Sequence, residues 1–159
     1  MKTKFIKNIK ELFNQPCVKV VGGDTGSIIA IDFGKLVPVN GIVSNNYDNH
    51  PYLRGEYGLM IDCAWRLDAV TEVLCGSEDD LRSLFNFHFN KLVSEKVIST
   101  KLTEPAYDLE IEFSNNYILK LFCNNTNPEA FDNNYDFFTP EGCFSVGCKG
   151  EINFEKNNM

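Results

Sequence analysis

From Tyr107 to Phe113 the chain alternates without a break. Leu109, Ile111 and Phe113 fall on one side, and Asp108, Glu110 and Glu112 on the other. A period of two is the repeat of a strand with one face in a core and one in water, which is the habit of antiparallel sheets. Ser27 to Phe33 (SIIAIDF) lies over Tyr107 to Phe113 (YDLEIEF) without a gap. Around that match, a helix at 3–13 and strands at 18–21, 27–33 and 58–67 parallel a helix at 80–93 and strands at 96–103, 107–113 and 117–123. The expectation is one α+β domain over residues 1–159, with mostly antiparallel meander sheets and two helices. Its halves, 1–79 and 80–159, are expected to be related by a pseudo-twofold.

The helix signals fit this plan. Phe5, Ile6, Ile9, Leu12 and Phe13 recur at helical spacing, and Pro16 stops the segment. A helix that packs on a sheet is the plain reading; a basic amphipathic helix can also lie on a membrane surface. Ser77 followed by Glu78, Asp79 and Asp80 is a helix start, with an N-cap hydroxyl and acids in the first turn. Gly58 to Leu67 (GLMIDCAWRL) is the most apolar strand candidate, and Gly34 is expected to end the strand before it. Residues 40–57 and 124–136 read as loops, and a last hairpin is expected through Gly147 and Gly150.

A chain of 159 residues with thirteen Phe can build one substantial core without a staple. No run of eighteen apolar residues exists, and polar residues interrupt any leader-like h-region after the N-terminal lysines. A cytoplasmic location without membrane association is therefore expected. In that setting the six cysteines serve as small core hydrophobes. The net charge is −7, yet the first thirteen residues hold four Lys and one Glu, so the remaining body carries −10. Such a body repels phosphate, which argues against nucleic acid and suits a basic protein partner.

Near-matches to catalytic motifs each break at a named position. Asp24-Thr25-Gly26-Ser27 resembles the local signature of aspartic proteases, but Gly22-Gly23 replaces the apolar run into the Asp, and two such carboxylates are needed. The same glycines lead into a strand rather than the helix N-terminus that a phosphate loop requires. Asp132-Asn133-Asn134-Tyr135-Asp136 begins like a calcium loop, but Phe137 and Cys143 stand where Gly and Glu are required. No C-x-x-C occurs, and His50 and His88 sit in no recognisable arrangement with a nucleophile. No metal or cofactor is called for.

Taken in order, the segments GGDTGSIIAIDFG, GEYGLMIDCAWRLD, DLEIEFSNNYILKLFC and NYDFFTPEGCFSVG resemble a group of bacterial proteins to which no activity is assigned. The resemblance spans most of the chain and implies no chemistry. In size, charge and strand content the chain is also similar to immunity proteins of bacterial toxin systems.

Two functional expectations follow. The first is a non-enzymatic protein-binding module that neutralises a basic toxin domain, with the stripe Asp108, Glu110 and Glu112 as its docking face. The second is a small-molecule site or enzyme with a pocket near Asp62, Trp65 and Arg66. Asp62 and Arg66 are expected on one face of one strand, with a structural ion pair as the plainer use of their charges. The chain is expected as a monomer, or as a homodimer paired through a sheet edge.

Overall fold

The computed structural model describes residues 1–22, 28–43, 51–79, 86–129 and 132–157. It contains helix α1 (Lys2–Lys10) and strands β1 (Cys17–Gly22), β2 (Ile29–Val43), β3 (Pro51–Ile61), β4 (Ala64–Asp68), β5 (Val73–Gly76), β6 (Val97–Thr103), β7 (Asp108–Phe113), β8 (Ile118–Phe122), β9 (Tyr135–Thr139), β10 (Gly142–Val146) and β11 (Ile152–Lys156). A second helix is described over 86–89 and tightens into a 3-10 turn at Asn90–Leu92. The expected helix start at 80–85, the Asp24-Thr25-Gly26 turn and His50 lie outside the described residues.

The strands form two antiparallel sheets. One runs β1-β2-β3-β9-β10-β11, and the other β5-β4-β8-β7-β6. The pseudo-twofold is written into their registers. Cys17 pairs with Phe33 and, after a one-residue slip, Lys19 pairs with Asp32. Val97 pairs with Phe113 and, after the same slip, Ser99 pairs with Glu112, each partner eighty residues further on. The contacts between the halves are reciprocal as well. Asn14 N–H donates to Val97 O and Ser94 N–H to Cys17 O, both at 2.7 Å. Cys17 N–H donates to Glu95 O and Val97 N–H to Gln15 O. Pro16 and Lys96, themselves mates, form an isolated bridge on the axis. Asn14 and Ser94 share the left-handed conformation that lets the chain leave each helix in this direction (φ 65° and 77°).

Each half then passes its next hairpin to the other sheet. Hairpin β4–β5 extends the sheet of β6–β8, where β4 pairs with β8. Hairpin β9–β10 extends the sheet of β1–β3, where β9 pairs with β3. The expected strand 58–67 is therefore two strands in different sheets. The chain changes sheet at Asp62-Cys63, whose N–H groups both donate to Asn134 O. Asn134 is buried and fixes the crossing from its side chain too. Its Nδ2 donates to Gly147 O at 2.8 Å, and its Oδ1 accepts from Asn125 N–H.

One apolar cluster fills the space between the sheets. Phe33 and Phe113 stack across the axis at 6.4 Å with 16° between their planes. Phe5 of α1 reaches Tyr107 of one sheet side and Tyr135 and Phe144 of the other. Phe89 meets Trp65 edge-on at 5.2 Å. Helix α1 thus buries Phe5 and Ile9 in the core, and the turn after it buries Leu12 but leaves Phe13, expected on the same face, exposed.

Three loop boundaries differ from expectation. Strand β2 does not stop at Gly34 but passes through it at φ 82°, with a register slip between Phe33 and Leu36. It continues to Val43, and β3 already begins at Pro51, inside the segment read as loop 40–57. The loop read over 124–136 gives way to β9 at Tyr135.

Phe113→Ala removes one ring of the axial stack and is expected to lower unfolding free energy by about 3–5 kcal/mol in denaturant melts. Phe33→Ala is expected to cost a similar amount. The double variant should lose less than the sum, because the two rings touch.

Candidate functional site

The pseudo-twofold also identifies what one half has and the other lacks. Phe33 matches Phe113 at an offset of eighty, but Leu59 and Ile61 match Leu119 and Leu121 at an offset of sixty, since each pair faces equivalent residues of the neighbouring strand. The first half therefore carries twenty extra residues between the two strands of its central hairpin. In the second half three residues, Ser114-Asn115-Asn116, close the same hairpin, with Phe113 N–H bonded to Tyr117 O. In the first half β2 and β3 run on as an arm, pairing Leu36 with Gly55, Val37 with Arg54 and Pro38 with Leu53.

The arm bends back over the outer face of the six-stranded sheet. Tyr52 of the arm accepts a hydrogen bond from Lys19 Nζ of β1 at 3.2 Å, and the same ammonium lies 4.5 Å from the ring centroid. The bend needs Gly55. A Cβ there would stand 2.7 Å from both Phe33 N and Phe33 O. Beneath the arm lies a groove of about 260 Å³, bordered by Lys19, Asp32, Tyr52, Arg54 and Phe138. Ala30 and Gly58 keep its floor low. Leu36, Tyr52 and Leu53 on the arm, and Val21 and Met60 on the sheet, are large apolar groups left in solvent. Next to Met60 on the same face stand Asp62 and Asp136, with Asp132 close by. Burial first, then the charges of Asp136 and Asp132, push the Asp62 carboxyl above its ordinary value.

The residues expected from the sequence to carry function sit elsewhere or apart. Trp65 and Arg66 point to opposite faces of β4. Trp65 is 2% exposed and belongs to the core, while Arg66 is on the outer face of the five-stranded sheet. Asp62 belongs to the crossing between the sheets, so these three side chains do not line one pocket. The partner of Arg66 is not Asp62 but Asp68, two residues on. Arg66 Nε and Nη2 donate to the Asp68 carboxylate at 2.8 and 3.1 Å, and Lys120 Nζ stands 3.3 Å away. Hydrogen bonding to Asp68 raises the Arg66 pKa.

Asp108, Glu110 and Glu112 do alternate with core residues along β7. They are, however, already engaged. Cys123 N–H donates to Asp108 Oδ1 at 2.6 Å, and Ser99 Oγ donates to Glu112 Oε2 at 2.9 Å. Glu110 lies opposite Lys101 on one side and Lys120 on the other. Two of the three carboxylates are thus hydrogen-bonded, and the third lies between two lysines.

Groove residues Lys19, Asp32, Tyr52, Arg54 and Phe138 carry no motif. The signal that points to them is the twenty-residue mismatch between the halves.

Asp62 gives a pH test. Its folded pKa is raised, so the stability linked to its proton is fully present below pH 3.8, its ordinary value, and is lost as pH rises through the folded value. Thermal melts of Asp62→Asn are therefore expected to lie above wild type at pH 7 and to coincide with it at pH 3. A variant that melts lower at pH 7 would show that the carboxylate is paired.

No known protein family, curated protein or solved structure matches the chain.

Proposed function

We propose that this chain is a non-enzymatic protein-binding module that docks a basic protein, in the manner of an immunity protein that neutralises a toxin domain. The arm carries the proposal. A symmetric scaffold that closes one hairpin in three residues has no structural need of twenty more in the other, and extra segments on rigid sheets are where binding surfaces are built. The arm also holds Leu36, Tyr52 and Leu53 in solvent, as an interface does and an ordinary surface loop need not.

The surface has the anatomy of a docking face. An apolar side chain of the partner enters the groove between Tyr52 and Phe138, and basic residues meet Asp62, Asp132 and Asp136 beside it. The net charge of −7 draws such a partner in. The groove also favours a second reading, a small ligand held by Lys19 and Arg54. Its volume of about 260 Å³ is below the usual range of small-molecule sites, about 300–1,000 Å³, and fits a single side chain better.

Replacing residues 34–56 by Ser-Asn-Asn copies the closure of the second half and removes the arm. The variant is expected to fold with near-wild-type circular dichroism. Co-expressed with the product of the adjacent reading frame, the wild-type chain is expected to form a complex whose association slows as salt rises. The armless variant should bind about a hundredfold more weakly or not at all. Equal binding by both would remove the arm from the interface. Failure of the wild-type chain to bind that product or to relieve its toxicity would defeat the immunity reading.

A further inference from the structure

Cys63 and Cys123 are mates under the pseudo-twofold, because each stands two residues beyond a matched core position, Ile61 and Leu121. On β4 and β8 the inward pair Trp65 and Leu121 is followed by the outward pair Ala64 and Phe122. Continued one step past its last pair, this register sets Cys63 opposite Cys123. Cys63 is 6% exposed and Cys123 is half-buried, and the Cys63 thiol is close enough to raise the pKa of Cys123. Cys123 Sγ also lies 3.7 Å from Tyr107 O. The cysteines paired within the described registers face other residues: Cys17 faces Phe33, Cys75 faces Leu67, and Cys143 faces Phe138 and Glu155.

Directly opposed residues of antiparallel strands have Cβ atoms about 4.5–5.5 Å apart, and a disulfide needs about 3.5–4.5 Å. The strands must therefore close by about 1 Å. The movement falls just past the end of the β4–β8 ladder, where the two backbones are bonded to other groups and not to each other. Cys63 N–H is bonded to Asn134 O, and Cys123 N–H to the Asp108 carboxylate.

We propose that Cys63 and Cys123 are a redox-modification site, at which a disulfide fastens the two halves where the first of them crosses from one sheet to the other. A low-molecular-weight disulfide is the oxidant. Cys123, the more exposed thiol, attacks it as the thiolate, forming a mixed disulfide and releasing one small thiol. Cys63 then attacks the Cys123 sulfur and releases the second. Two cysteine thiols are oxidised to one cystine, and the oxidant is reduced to two thiols that carry away the protons. The contact with Cys63 and then burial raise the Cys123 pKa, in surroundings that include Asp108, Tyr107 and Tyr135. Little thiolate is present at neutral pH, so closure is slow: a lock rather than a fast sensor.

The test exposes the full chain to oxidised glutathione and then counts thiols after unfolding in acid. The count is expected to fall from six to four. Non-reducing peptide mapping should find Cys63 joined to Cys123. The oxidised protein should melt about 5–10 °C higher, as expected for a cross-link that closes a long loop. C63A and C123A should each abolish the intramolecular cystine, and Cys148→Ser should leave it intact. Six thiols after prolonged exposure, a cystine mapped to other positions, or arrest at a glutathione adduct on Cys123 would each overturn the proposal.

Discussion

Four backbone hydrogen bonds around Pro16 and Lys96 hold the architecture together. Each half donates from the left-handed residue that follows its helix and from the residue that begins its first strand, and each accepts at the matching carbonyls of the other. The exchange is possible only if both chains leave their helices in the same left-handed turn, at Asn14 and Ser94. It sets the first strands β1 and β6 across the axis from one another. It also brings Phe33 and Phe113 into register for stacking, and hands β4–β5 and β9–β10 to the opposite sheets. Burial supplies most of the stabilising free energy, but these bonds decide which surfaces are buried together.

Much of this was legible in the sequence. The strict alternation at 107–113, its match at 27–33 and the two helix signals lead to an α+β fold of antiparallel meanders with a pseudo-twofold. What could not be read was the exchange of hairpins. Gly58 to Leu67 is one apolar run in sequence, and periodicity carries no mark of the point where a chain leaves one sheet for another. The mark is Asn134, seventy-odd residues away, whose carbonyl accepts both N–H groups at the crossing. Strand β9 was hidden for a related reason. Its five residues adjoin an Asn-rich segment whose side chains bond locally, as Asn125 and Asn127 do to the N–H groups two residues on.

The candidate site was less legible than the fold. Sequence reasoning sought function where charge or a large aromatic stood out, at Asp62, Trp65, Arg66 and the β7 stripe. In the structure Trp65 is core, Arg66 is paired to Asp68, and the stripe is answered by Ser99, Lys101 and Lys120. These residues stood out because burying an aromatic and balancing a charge leave the same marks in sequence as binding does. The groove draws its walls from β1, β2, β3 and β9, and from an arm whose first strand is Leu- and Val-containing but interrupted by Gly34 and Pro38. No single window of sequence contains it.

The exchanged hairpins have a consequence for how the chain reaches this state. Neither half can finish a sheet from its own residues: β3 waits for β9, more than seventy residues later, and β8 waits for β4, which precedes it by about fifty. Synthesis of the first half alone leaves the edge of β3 open and the hairpin β4–β5 without a sheet to join. The contact order is therefore high and folding is expected to be slow relative to a helical bundle of this length. The two halves are therefore expected to unfold as one cooperative unit in spite of their symmetry. A break between them would yield two chains that must find each other before either has a complete core.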